Sequence, residues 1–324
     1  MQVAHGVRAV QVPDENPMHP DFTNIYLVGD GQALTIDSGE TMERYRWMLR
    51  GYLAATERAE IALAAITHHH ADHSGNLKWV REGYGAEIVA PKQAVPLLKG
   101  KLPRGGLNLL ADGQVFDLGP GVKLRAMFTP GHSVDSVCYY LEEQGVLFTG
   151  DTLLGSSTTT VHDLGDYRRS LKLLLELPNL KVICPGHGPL VHDPRERLQG
   201  YVQHRDMREQ QIVEALAGGG PLTSWEIMLK LYPDLNKRLR RAADNNVRAH
   251  LDQLQSEGRL KSYEGKPKRK SGAKASRDVE HVRERARVIK LAKKYESEDR
   301  RAEIRRQENP PSDEWSVPPK YELA

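Results

Sequence analysis

The chain has 324 residues, 46 Lys and Arg against 43 Asp and Glu, and a formal net charge of +3, enough sequence for one large and one small domain. No apolar run is long enough to span a bilayer, and residues 1–12 lack the charged start and apolar core of a signal peptide, so no membrane role is expected. Cys138 and Cys184 stand in apolar, strand-like contexts and make no disulfide framework; buried thiols in a cytoplasmic protein are the expectation. In chain order, Leu34-Thr35-Ile36-Asp37-Ser38-Gly39 reads as an apolar strand ending on a carboxylate, and residues 41–58 look helical. Residues 61–66 are an apolar run that reads as a buried strand. It opens into Thr67-His68-His69-His70-Ala71-Asp72-His73. A loop at a strand end can aim several side chains at one point, which a straight strand cannot do because alternate residues face opposite ways. The spacing His-x-His-x-Asp-His suits zinc or iron, and two ions more readily than one. The plain alternative is a solvated His-rich loop. His69 lies between the candidate ligands and is expected to point away from them. Residues 75–81 begin a short helix behind the loop.

Three later segments repeat the pattern. Thr129-Pro130-Gly131-His132-Ser133 follows the apolar stretch 122–128, Phe148-Thr149-Gly150-Asp151-Thr152 follows 146–148, and Cys184-Pro185-Gly186-His187-Gly188 follows 182–183. Each strand feeds a Gly-marked turn that carries one His or Asp. Four strand ends that each deliver a ligand make a metal cluster at one edge of a sheet structure. Cys184, three residues before His187, reads as a strand residue and not as a ligand.

The order of these motifs, with Asp37 ahead of them, resembles the metallo-β-lactamase superfamily of hydrolases over roughly residues 3–190. The resemblance implies an α/β layered fold, an αββα sandwich of two mixed sheets with helices outside. It implies one metal held by His68, His70 and His132, a second by Asp72, His73 and His187, and Asp151 bridging the two. Zinc is the first expectation for both divalent ions, with iron or manganese next. Asp37 is expected to orient a ligand from behind. Two ions that share a water lower its pKa and supply hydroxide at neutral pH, and Asp72 is placed to orient that nucleophile and carry its proton away. Asp72 and Asp151 are thus the candidate catalytic carboxylates. The bridging Asp151 argues against antibiotic hydrolysis, the short distance in sequence from Asp151 to His187 leaves no room for a β-CASP cap, and His70 stands where flavin-linked di-iron relatives carry Glu. Mononuclear iron dioxygenases of this fold keep similar ligands and stay open.

The region after His187 suggests a second module. Residues 201–212 start a helix that ends before Gly218-Gly219-Gly220-Pro221; a second starts at Thr223-Ser224-Trp225-Glu226 with a capping box, and Pro233 limits it. A third covers about 235–257, with Val247, Leu251 and Leu254 on one face, and 259–263 reads as a strand. Three helices and a strand resemble a winged helix. Together with His204-Arg205-x-x-Arg208-Glu209-Gln210-Gln211-Ile212, Asp166-Tyr167 and Ser170-Leu171, the module resembles the β-lactamase-like protein 2 group. That likeness implies single-stranded RNA cleavage, or thioester hydrolysis on carrier-bound polyketides as in fungal relatives. A non-catalytic nucleic-acid-binding protein is the opposed reading, which the complete ligand set argues against. The stretch 155–160 also lacks the glycine- and phenylalanine-marked segment of typical glyoxalase II enzymes. Lys266, Lys268, Arg269, Lys270, Lys274 and Arg277 contain no acid among them and could attract a phosphate backbone, as could Lys237, Arg238, Arg240, Arg241 and Arg248 on the third helix. This charge places RNA slightly ahead of an acyl thioester as the substrate. The expected division is 1–200 catalytic, 201–264 winged-helix-like and 265–324 basic linker and charged tail. Within that tail 278–307 would be a charge-rich helix or disordered, and 315–324 would be too poor in apolar residues for a core. A homodimer strapped by the tail is one further expectation, and the loop 17–22 is expected to overhang the site.

Overall fold

A computed structural model of the chain describes residues 1–13, 21–29, 32–56, 60–268 and 314–324. The chain divides into two compact units, Met1–Met207 and Arg208–Ala324. The first sheet of the first unit runs in chain order through β1 (Gln2–Ala4), β2 (Val7–Pro13), β3 (Phe22–Val28), β4 (Gln32–Ile36), β5 (Glu60–Ala65), β6 (Glu87–Pro91) and β7 (Leu107–Leu110). Its first four strands pair antiparallel and the rest parallel. The second sheet holds β8 (Val115–Asp117), β9 (Lys123–Phe128), β10 (Val137–Leu141), β11 (Val146–Gly150) and β12 (Val182–Pro185), antiparallel except for β11 with β12.

Alternation along the strands sorts the side chains into layers. Ala9, Tyr26, Val28, Leu34 and Ile36 of the first sheet meet Leu124, Ala126, Tyr139, Leu141 and Phe148 of the second in one core. The alternate residues Val10, Val12, Ile25 and Leu27 face outward into another core, closed by Tyr45 and Leu49 of α1 (Glu43–Thr56) and by Leu77 and Val80 of α3 (Leu77–Tyr84). Between these helices lies the one-turn α2 (Ala71–Ser74). On the second sheet, Cys138, Tyr140, Leu147 and Ile183 are buried on the face opposite the shared core, and α4 (Leu164–Leu175) buries Leu164, Tyr167, Leu171 and Leu174. The layers are those of an αββα sandwich. α5 (Pro194–Ala217) starts seven residues before the 201 expected from sequence. Pro194 suits the first turn, where its missing N–H costs nothing, but the polar run through Gly200 hides the helical stripe.

In the second unit Thr223 caps α6 (Ser224–Leu231), and its hydroxyl and the Glu226 carboxylate form the expected reciprocal box. α7 (Arg240–Ser256) buries Val247, Leu251 and Leu254 against Ile212, Leu216, Ile227 and Met228. β13 (Leu222–Thr223) and β14 (Leu260–Tyr263) do not pair with each other. β15 (Lys266–Pro267) pairs with β16 (Trp315–Val317), and β17 (Lys320–Leu323) inserts between β13 and β14. Tyr321 of β17 is buried in the module's core. Residues 315–324 do not form a core of their own; they complete this unit's core and sheet. The charge-rich stretch 278–307 lies outside the described residues, as do Arg269, Lys270 and the loop residues 17–20. Among the described residues no helix is long and apolar enough to cross a membrane.

Candidate metal centre

The strand ends converge as the sequence pattern requires. β4 delivers Asp37, β5 the loop 66–70, β9 His132, β11 Asp151 and β12 His187, and the Val137 N–H bonded to the Thr67 carbonyl (2.8 Å) ties the two sheets together there. The ligand-capable atoms fall into two groups, His68, His70, His132 and Asp151, and Asp72, His73 and His187. In the first, His68 Nε2 lies 2.7 Å from His70 Nδ1 and 3.3 Å from His132 Nε2, with His132 Nε2 3.2 Å from His70 Nδ1. In the second, His187 Nε2 is 3.1 Å from both His73 Nε2 and Asp72 Oδ2. Asp151 turns Oδ1 to His73 (3.3 Å) and His187 (3.4 Å) and Oδ2 to His132 (3.8 Å). One carboxylate therefore faces both groups.

These groups suit metal ions for a reason internal to the structure. His73 Nδ1 lies 2.7 Å from Asp37 Oδ2, and His132 Nδ1 lies 2.8 Å from the Thr160 carbonyl. Facing acceptors, both Nδ1 atoms carry a proton, so it is Nε2 that each ring turns toward the cluster. Nitrogens turned toward one another need a proton or a metal ion between them, and Asp151 Oδ1 is buried with no hydrogen bond of its own. Ligands about 2.0–2.1 Å from a tetrahedral ion sit roughly 3.3 Å apart, close to most of these separations. Burial lowers the pKa of His68 and His132 and, together with the neighbouring His132, takes that of His70 down to about 3. These imidazoles are neutral, the form a metal binds. Burial also opposes charge on His73, but Asp151, Asp37 and Asp72 outweigh it and raise its pKa well above the ordinary value.

The surroundings hold the ligands in place. Asp37, at φ 68°, accepts from the Thr67 N–H at 2.7 Å and the Thr67 hydroxyl at 2.9 Å as well as facing His73. Gly186 leaves space that a Cβ would fill at 2.6 Å from His73 Cε1 and 2.7 Å from Asp151 Oδ1. His69 turns away from both groups, with Nδ1 2.9 Å from Asp135 Oδ1. Sequence reading missed Thr67, Thr23 (Oγ1 3.1 Å from His187 Nδ1), Thr159 and Thr160 at His132, and Asp135 at His69. Only Thr67, adjacent to the ligand loop, carried a local signal.

Of the basic residues expected to meet RNA, Arg241 and Arg248 are occupied. Both pair with Glu314, Arg248 at 2.8 Å, and Arg248 also reaches Asp244 at 2.8 Å. Arg240 Nε donates to the Leu235 carbonyl at 3.3 Å, while Lys237, Arg238 and Lys266 are exposed.

Residues 19–187 match the family model of the metallo-β-lactamase superfamily, and residues 223–269 that of the β-lactamase-associated winged helix domain. The chain belongs to the metallo-β-lactamase superfamily. It is a hydrolase of that superfamily, and its second unit holds the associated winged helix. It is 33% identical over 243 residues to the beta-lactamase-like protein 2 homolog of Caenorhabditis elegans, covering 73% of this chain and 79% of that one. It is 36% identical over 213 residues to the atrochrysone carboxyl ACP thioesterase of Aspergillus fumigatus, covering 64% and 65%. A solved metallo-β-lactamase family structure from Thermus thermophilus superposes with a TM-score of 0.68 at 28% identity, over 81% of this chain and 97% of that one.

Proposed function

We propose that this superfamily hydrolase binds two divalent ions, zinc first among them, through His68, His70 and His132 on one side and Asp72, His73 and His187 on the other, with Asp151 shared, and that it cleaves acyl thioesters. The observation that carries the two-ion reading is the pair of facing clusters of ligand-capable atoms and the divided Asp151 carboxylate. When bound, such ions lower the pKa of water toward neutrality and polarise the oxygen of the bond under attack. The chain's own residues supply the rest. Asp72 has the most exposed of the three site carboxylates, at 15% against 7% for Asp151 and 3% for Asp37. It is therefore the one that can meet an incoming water, orient it and accept its proton. Asp151 sets the spacing of the two groups, and Asp37 fixes the ring of His73. Water attacks the acyl carbon, the C–S bond breaks, and the thiolate takes up a proton to leave as a thiol beside the free acid.

The choice of thioester reverses the order suggested by charge alone. Glu314 takes up two of the arginines on which an RNA reading leaned, and a relative of 36% identity is named for thioester cleavage on a carrier protein. Single-stranded RNA remains the second reading, because Lys237, Arg238 and Lys266 are exposed and the sequence continues the basic run through Arg269 and Lys270. Cys138 and Cys184 are buried free thiols, as suits a cytoplasmic protein.

The test presents the zinc-loaded full-length chain with an acyl-carrier thioester and with an end-labelled single-stranded RNA, and Asp72→Asn at equal metal content serves as control. Thioester hydrolysis that falls about 10²–10⁴-fold in the variant is the expected result. RNA cleavage with the thioester untouched would transfer the assignment to the second reading. Full activity of Asp72→Asn would remove its proton-accepting role.

A further inference from the structure

The buried stripe of α5 runs through Pro194, Leu198, Tyr201, Arg205, Ile212 and Leu216. Arg205, at 2% exposure, thus occupies a position where helical spacing calls for an apolar side chain. A buried guanidinium is costly to desolvate, and here its partners are a carbonyl and a ring, not a carboxylate. One terminal nitrogen donates to the Thr159 carbonyl at 2.7 Å, and the guanidinium lies 5.2 Å from the centre of the Tyr167 ring. Its Nε is buried and unbonded. An apolar residue would suit the stripe better if packing were all that mattered.

What Arg205 holds gives the reason. Five hydrogen bonds hang the stretch 154–159 from one face of α5. Arg197 donates to the carbonyls of Leu154 (3.1 Å) and Ser157 (2.9 Å). The Tyr201 hydroxyl donates to the Ser157 carbonyl (2.6 Å) and accepts from the Leu154 N–H (2.9 Å), and Arg205 takes Thr159. The last of these grips is the one next to the metal centre. Thr159 Oγ1 lies 3.0 Å from His132 Nδ1, and the carbonyl of the following Thr160 lies 2.8 Å from the same nitrogen. The ring of Tyr167 is fixed in turn by its hydroxyl bond to the Thr152 carbonyl (2.7 Å), and its backbone fills the space beside Gly131, the residue before His132.

We infer that Arg205 is a positioning residue for His132: by fixing the Thr159–Thr160 peptide it sets the imidazole's tautomer and aim, and so the affinity of the three-imidazole cation site. This rests on the reading of His132 as a metal ligand. It gives a purpose to Arg205 and to Tyr167, neither of which is paired with a ligand-capable atom.

The test is a cobalt(II) titration of the full-length apoprotein, wild type, Arg205→Met and Arg205→Lys, followed by visible absorption and by the shifted imidazole N–H proton resonances. The wild type is expected to bind two ions. Arg205→Met should weaken one of them about 10–100-fold, with loss of the resonances of the three-imidazole site and retention of those of His73 and His187. Arg205→Lys keeps a cation and one donor but not the planar stack on Tyr167, and should weaken the same ion less; it carries the test if Arg205→Met does not fold. Equal weakening of both ions, or of neither, would overturn the inference. A wild-type protein that binds no cobalt would instead overturn the metal reading, and the role of Arg205 with it.

Discussion

Asp37 and His69 show how much a single contact decides within one loop. Two histidines within four residues of each other, His69 and His73, each place Nδ1 against a carboxylate. For His73 that carboxylate is Asp37, on the far side from the cluster, and Nε2 is left facing Asp151 and His187. For His69 it is Asp135, which draws the ring out of the cluster. Replacing Asp37 with Asn exchanges one acceptor oxygen for an NH2 group. That group must face either the Thr67 N–H or the His73 N–H, donor against donor. An unmatched buried donor costs about 1–3 kcal/mol, and loss of such a partner about 10–100-fold in metal affinity. Asp37→Asn should therefore lower zinc affinity by that factor, measured by chelator competition, with the ion beside His73 the one released. Unchanged affinity would end the orienting role of Asp37. By the same reasoning His69→Ala should still bind two equivalents of zinc in a metal analysis, and a drop to one would return His69 to the ligand set.

At the scale of elements, a tight turn after each strand is as necessary as the ligand it carries. Gly186, after β12, lets the backbone pass close to His73 and Asp151. The Cβ of Gly186→Ala would lie within 2.7 Å of both side chains, so one of the two must move. The expected outcome is an apoprotein with near-native circular dichroism that binds fewer than two zinc ions; two tightly held ions would show that the cluster yields freely. The capping box of α6 offers a test independent of metal. The Glu226 carboxylate accepts from the Thr223 N–H (2.8 Å) and hydroxyl (2.9 Å). The backbone bond, opposed in part by burial, lowers its pKa. A folded-state pKa below the unfolded one gives stability that is complete above the unfolded value, about 4.3, and is lost as the pH falls through the lowered one. Glu226→Gln should then unfold more readily than wild type in urea at neutral pH, with the gap closing as the pH drops below about 4.3. Thr223→Ala should cost about 1 kcal/mol. No gap at neutral pH would mean that the amide caps as well as the carboxylate, and a gap that did not change with pH would mean that the ionisation of Glu226 adds nothing to the cap.

At the scale of the whole molecule, what was legible in the sequence was whatever is local. The His and Asp residues sit directly after apolar runs and beside glycines, so the strand ends and the capping box could be read before any fold was seen, while the division of the candidate ligands into two sets came only with the family resemblance. Contacts made across long stretches of chain left no such trace. Thr23 meets His187 and Asp135 meets His69 from far away in sequence, and Arg205, though part of the motif that carries the group resemblance, gives no sign in sequence of its burial. The last strand is the extreme case. β17 carries only Tyr321 and Leu323 toward the module's core, yet it fills the gap between β13 and β14. Cutting the chain after Pro267 should accordingly unfold the winged-helix unit by separating two strands that do not pair with each other. The intervening basic and charge-rich stretch has a different standing. The Lys268 N–H donates to the Glu314 carbonyl at 2.8 Å, so the described chain leaves and re-enters at adjacent points, and a short turn can join them. A chain with residues 269–313 replaced by a Gly-rich turn should therefore keep β17, the Glu314 pairs and the wild-type melting temperature. If it also keeps the proposed thioesterase activity while losing any affinity for single-stranded RNA and the salt dependence of that affinity, RNA binding resides in the excised charge and not in the winged helix. If instead it melts like the truncated chain, the excised stretch is part of what holds β17 in place.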